Sequence, residues 1–99
     1  MIVYYINSYD IEDEAEFEKY PPKVRPLLEK YGAEVLASDT NALPVEGTAR
    51  KMNAIIKFPS LEAALQCYND PEYAAIKEIR HRSVKNCTMV LVKAFEKEL

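Results

Sequence analysis

The side chains in this sequence best placed to do chemistry are Arg80, Glu46, Tyr20 and Tyr73. Arg80 falls on the same helical face as Tyr73 and Ile76, with Ile79 beside it, so it shares the apolar side of its segment. A guanidinium on such a face must be paired with an acid or hold an anionic ligand, because an unpaired buried charge is costly. Glu46, in the loop ahead of a strand, is the acid expected to meet it. The pair reads either as a structural salt bridge or as one end of a ligand site. Tyrosine is the dominant aromatic, with seven tyrosines, three phenylalanines and no tryptophan. Tyr20 and Tyr73 lie on inward helix faces, where each buried hydroxyl needs a partner. They read either as plain core or as the walls of a pocket for a small planar or carboxylated molecule.

Other residue types offer less. His81, the single histidine, stands inside Arg80-His81-Arg82 at a helix end, where it reads as a solvated cap, with haem ligation as the alternative. One histidine cannot build a histidine-based metal triad, and no metal site is expected. The acidic run over residues 10–18 lacks the glycine and ligand spacing of a calcium loop and reads as a helix start. Cys67 lies beside an apolar helix face and reads as packing. With only Gly32 and Gly47 in the chain, no phosphate-cradling loop is expected, and no cofactor is called for.

These residues sit in a chain of 99 residues, enough for one domain over 1–99. Its net charge of -3 gives no pull toward nucleic acid, and no run approaches a membrane span. The first residues look like a strand rather than a signal peptide, so Cys67 and Cys87 read as reduced thiols of a cytoplasmic protein.

The elements that must position the site follow from periodicity. The densest signals lie in residues 58–82. Ser60 offers an N-cap ahead of Leu61, Ala64, Leu65 and Tyr68 at helical spacing. Pro71 ends that helix and opens a second, with Glu72 in its first turn and Arg80-His81-Arg82 at its carbonyl end. Residues 2–9 read as a strand. Asp13 then caps a short helix, Pro21, Pro22 and Pro26 break the pattern and start further helical turns, and Gly32 closes them. Residues 33–38, 50–58 and 86–95 supply the other strands, with a loop over 39–48 and a charged tail over 96–99.

The order β-α-β-β-α-β predicts an α+β, ferredoxin-like antiparallel sheet with its helices on one face. The other face should then be polar, yet the first and last strands are apolar in both registers. About six large side chains would be stranded there, forgoing on the order of 10 kcal/mol. A second sheet must cover them, which predicts a homodimer through sheet faces, that is, a dimeric α/β barrel.

The residues also match a known pattern. Tyr4, Asp10, Asp13, Tyr20, Lys30-Tyr31-Gly32, Glu46-Gly47, Phe58-Pro59-Ser60 with Ala64, and Glu72-Tyr73 with Arg80 span nearly the whole chain. In their order and spacing the chain resembles the domain-of-unknown-function family 1330, within the dimeric α/β-barrel superfamily. It departs from that family at Ala33, where a second glycine is usual, and at Ala94-Phe95, where the last strand tends to end in glycine. The resemblance implies a βαββαβ dimer and no particular reaction. Relatives on the fold include cofactor-free monooxygenases, lactone isomerases and haem enzymes, so the fold alone discriminates poorly.

The reading that results is a small dimeric protein that binds a small anionic or aromatic molecule between helices and sheet, with transformation of that molecule without a cofactor as its extension. Arg80, Glu46, Tyr20 and Tyr73 are its expected ligand-binding residues. The alternatives are a non-catalytic structural or regulatory homodimer and a haem-handling protein.

Overall fold

The computed structural model describes residues 1–95; the tail expected over 96–99 lies outside them. The elements run β1 (Val3–Ile11), α1 (Glu14–Phe17), α2 (Tyr20–Lys30), β2 (Glu34–Asp39), β3 (Met52–Phe58), α3 (Leu61–Tyr68), α4 (Pro71–Ser83) and β4 (Val84–Lys93). One sheet with strand order β2-β3-β1-β4 results, every neighbouring pair antiparallel. This is the α+β, ferredoxin-like arrangement expected from the order of elements.

The caps read from sequence are in place. Asp13 accepts from the Glu16 amide, and Ser60 accepts from the Ala63 amide. Asp70, extended ahead of Pro71, accepts from the Glu72 amide, so the proline occupies a position where its missing N–H costs nothing. Asp70 also accepts from the Tyr31 hydroxyl and from Lys30, tying the end of α2 to the start of α4.

The prolines act differently from expectation. The break falls at Glu18-Lys19; Pro21 and Pro22 sit in the first turn of α2, and Pro26 is carried inside an unbroken helix. First-turn amides have no intrahelical acceptor in any case, which is why the two leading prolines are tolerated. The apolar face of α3 is also rolled by one position: Ala64 and Cys67 are buried, while Leu61 and Leu65 are exposed. The fourth strand begins two residues earlier than periodicity suggests, at Val84, because the chain leaves α4 directly into a pairing with Ile11. Ser83, fully buried, secures that junction. Its hydroxyl donates to the Ile79 and Arg80 carbonyls, and its own carbonyl accepts from the Glu12 and Asp13 amides.

Strand alternation divides β1 cleanly. Val3, Asn7 and Tyr9 are buried toward the helices with Tyr5 beside them, and on β3 Met52, Ala54, Ile56 and Phe58 face the same way. Phe17, Tyr20, Leu27, Ala64, Cys67, Tyr73 and Ile79 close over them from the helices. On the opposite face, Ile6 pairs with Ile55 on one side and Val90 on the other, while Tyr4 pairs with Val92. Ile6, Ile55, Val90 and Val92 all stand exposed there, as the apolar patterning anticipates.

Candidate functional site

Between the helices and the sheet lies a cavity of about 290 Å³. Its floor is the helix-facing side of β1 and β3, including Tyr5, Asn7, Tyr9 and Ala54; its roof is α2 and the aromatic residues Phe17, Tyr68 and Tyr73. The aromatic rings form a chain: Tyr9–Phe17 and Phe17–Tyr20 have centroids 5.8 Å apart, Tyr20–Tyr73 6.5 Å, and Tyr73–Tyr68 5.7 Å. Such offset and edge contacts suit a wall that accepts a planar ligand.

Tyr20 and Tyr73, placed on inward helix faces from sequence, are brought together. Their hydroxyls lie 2.5 Å apart, one donating to the other. Arg80 joins them. It is 2% exposed, its Nη1 donates to Cys87 Sγ at 3.3 Å, and its Nε and Nη2 have no acceptor in hydrogen-bonding geometry. Among the described residues, no carboxylate lies within salt-bridge distance of it. Burial works against its charge, but the neighbouring Tyr73 and Tyr20 phenols act the other way, and the net effect holds the guanidinium protonated.

Glu46 does not join the cluster. It is exposed in the loop between β2 and β3 and makes no ion pair with Arg80 among the described residues. The loop extends away from the sheet around Gly47, whose φ of 77° turns the chain, and its neighbours Leu43 and Val45 are exposed as well. Sequence position alone placed Glu46 before a strand, and the loop's path carries it elsewhere.

A guanidinium has only donors, so a phenol oxygen beside it turns lone pairs toward it and its O–H away. Either hydroxyl of the Tyr20–Tyr73 pair can be the donor, and whichever way the bond runs one O–H is left over. Each bond in such a chain polarises the next. Burial, followed by the Tyr73 phenol, raises the Tyr20 pKa well above the ordinary phenol range, and burial does the same to Tyr5 and Tyr9. These groups are neutral donors at physiological pH rather than bases. Tyr20 and Tyr73 line the cavity, whereas Arg80 is not among its lining residues.

Two further residues enter the site unannounced by helical spacing. Among the described residues, Arg25, exposed on α2, is the one cation in the cavity lining, which contains no carboxylate. Asn7 is 7% exposed on the central strand, and its Oδ1 has no partner. The signal for Asn7 was present as the one amide in the alternating series Val3, Tyr5, Asn7, Tyr9. His81 lies outside the cavity lining, half-exposed on α4 and 3.7 Å from Glu78. Among the described residues, no group of three His, Cys, Asp or Glu side chains is placed to hold a metal ion, and no helix is long and apolar enough to cross a membrane.

No curated protein matches the sequence. Among solved structures, a protein of unknown function from Rhodopseudomonas palustris is similar with a TM-score of 0.83 at 17% identity, over 96% of this chain and 83% of that one. A dimeric protein of unknown function with a ferredoxin-like fold from Bacteroides fragilis matches with a TM-score of 0.66 at 15% identity, over 94% of this chain and 96% of that one. SnoaB, a cofactor-independent oxygenase from Streptomyces nogalater, matches with a TM-score of 0.71 at 11% identity, over 97% of this chain and 95% of that one. At these identities the likeness is one of fold. The sequence profile described as domain of unknown function (DUF1330) matches residues 2–95, and the chain accordingly belongs to that family.

Proposed function

We propose that the chain is a single domain that pairs with a second copy through its open sheet face and binds a small anionic, aromatic molecule in the cavity between helices and sheet. The observation that carries this reading is Arg80: a buried guanidinium with no carboxylate partner among the described residues, behind a tyrosine pair that lines an aromatic cavity. Proteins do not ordinarily bury a charge without compensation, and perturbed charged groups of this kind cluster at functional sites. Pairing of copies is supported by the exposed Ile6, Ile55, Val90 and Val92 and by the dimeric description of the Bacteroides fragilis protein. Binding is the function proposed; transformation without a cofactor, the activity named for SnoaB, is an extension that the shared fold permits.

The test is a thermal melt of the parent and of Arg80→Met with benzoate or 2-naphthoate. Ligand at about a hundred times its Kd stabilises a native state by about 2.7 kcal/mol. The parent melting midpoint is expected to rise by several degrees and that of Arg80→Met to stay put. Without ligand, Arg80→Met keeps or raises the parent midpoint, because it removes a desolvated cation while retaining much of the stem's packing. A large drop in the unliganded variant, with no carboxylate effect in the parent, would make Arg80 scaffolding and leave the non-catalytic structural or regulatory dimer as the better reading.

A further inference from the structure

We infer that Arg25, at the open end of the cavity, holds a second anionic group of the ligand, so that the molecule bound is an aromatic diacid lying along the cavity. This rests on the cavity being a ligand site with an anion at its inner, tyrosine end, and specifies what its outer end takes. The lining divides by exposure. Tyr9, Phe17, Tyr20 and Tyr73 are buried, whereas Arg25 on α2 and Val35 and Ser38 on β2 are exposed. The cavity therefore opens between α2 and β2, and Arg25 stands where solvent enters. Among the described residues Arg25 makes no ion pair, although Glu29, exposed four residues further along α2, is spaced to meet it. Its side chain belongs to the cavity wall instead. Lys30, on the same helix, is by contrast taken up by Asp70.

A carboxylate is the group this end fits. The Arg25 guanidinium presents a planar fork of donors that takes both oxygens of a carboxylate. The Ser38 hydroxyl, at the same end, donates only to Met52 Sδ at 3.7 Å, a weak acceptor that an anionic oxygen displaces. Among the described residues the lining holds no carboxylate to repel an anion. A cationic group at the outer end would meet Arg25 with like charge, and a neutral one would gain little from it. Between the two ends the wall is apolar and aromatic, which calls for a ring rather than a polar chain. Tyr20 and Arg25 stand five residues apart on α2, a rise of about 7.5 Å along the helix axis, so one ring or two fused rings separate the acid groups. The 290 Å³ of the cavity stands at the lower end of the range for small-molecule sites and suits such a molecule.

The experiment compares each monoacid with its diacid by calorimetry: benzoate with terephthalate, and 2-naphthoate with 2,6-naphthalenedicarboxylate. The proteins are the parent, Arg25→Gln, Lys23→Gln and Arg80→Met. At least one diacid is expected to bind the parent roughly 5- to 20-fold more tightly than its monoacid, between the worth of an exposed ion pair and that of a hydrogen bond to a charged group. The gain should shrink as salt is added and vanish in Arg25→Gln, while the monoacid binds that variant as it binds the parent. Lys23, exposed on α2 outside the cavity lining, controls for the overall charge of the helix, and Lys23→Gln should keep the gain. The inference is overturned if neither diacid surpasses its monoacid, if the gain persists in Arg25→Gln, or if Lys23→Gln removes it equally. Monoacid binding that Arg25→Gln weakens as much as diacid binding also overturns it, because the single carboxylate then sits at the mouth. If a monoacid still binds in an Arg80-dependent way, the proposed function stands without the inference. Failure of every probe to bind the parent overturns both.

Discussion

At the scale of the residue, burial sets the two thiols apart. Cys67 is buried on α3, and desolvation pushes its thiol up to about 11, so little thiolate forms at mildly alkaline pH. Cys87 is exposed at the start of β4. Iodoacetamide at pH 8 is expected to label Cys87 within minutes and to leave Cys67 unmodified until the protein unfolds, which intact-mass and peptide analysis would read directly. Equal labelling of both in the folded protein would contradict the packing of α3. Residue types were the easiest feature to read from sequence and the easiest to misplace. Tyr20, Tyr73 and Arg80 were recognisable because helical periodicity fixes which face a side chain takes. Glu46 was not, since a loop has no periodicity and its direction depends on tertiary packing. Asn7 was overlooked because a polar residue in a strand reads as solvent-facing until the pairing register is known.

At the scale of the element, the join between α2 and β2 depends on Gly32. Its φ of 72° lies in the left-handed region, and a Cβ there would meet Pro59 Cγ at 3.4 Å. Gly32→Ala is therefore expected to cost about 1–2 kcal/mol. That corresponds to a fall in midpoint of roughly 4–8 °C per kcal/mol for a chain of this size. A midpoint within a degree of the parent would show that the turn tolerates a side chain. Gly32, Ser60 and Pro71 were legible because each meets a local backbone requirement: a positive φ, an unsatisfied amide, or a missing one. The tolerance of Pro26 inside α2 and the exposure of Leu61 and Leu65 were not, because tertiary packing decides them.

At the scale of the whole molecule, one sheet separates two tasks: the helix side of β1 carries Asn7, and the open side carries Ile6. The exposed side chains on that open face retain roughly half of their surface, so covering them is worth about 1 kcal/mol each, or several kcal/mol per subunit. Light scattering at micromolar concentration is expected to give twice the 11.3 kDa chain mass. Val90→Asp should dissociate or unfold the protein, since Val90 faces Ile6 at the centre of the patch. A folded, fully dimeric Val90→Asp would place the interface elsewhere. The antiparallel sheet with helices on one face was readable from the order of elements, and the apolar character of the other face from the strand composition; which register faces the helices was not, because the outer strands are apolar in both. The existence and position of the cavity were not, because a void is what remains after every element has packed.

The passage from α4 into β4 without an intervening loop has a mechanical consequence. With Ser83 bonded both to its own helix and to the start of α1, Arg80 and the outer strand form one rigid body with no hinge between them. The opposite wall of the cavity, α2, follows a cap without a side-chain hydrogen bond, and its far end is held to α4 through the bonds of Lys30 and Tyr31 to Asp70. On that wall Arg25, exposed on α2, carries the positive charge that the cavity lining shares with solvent.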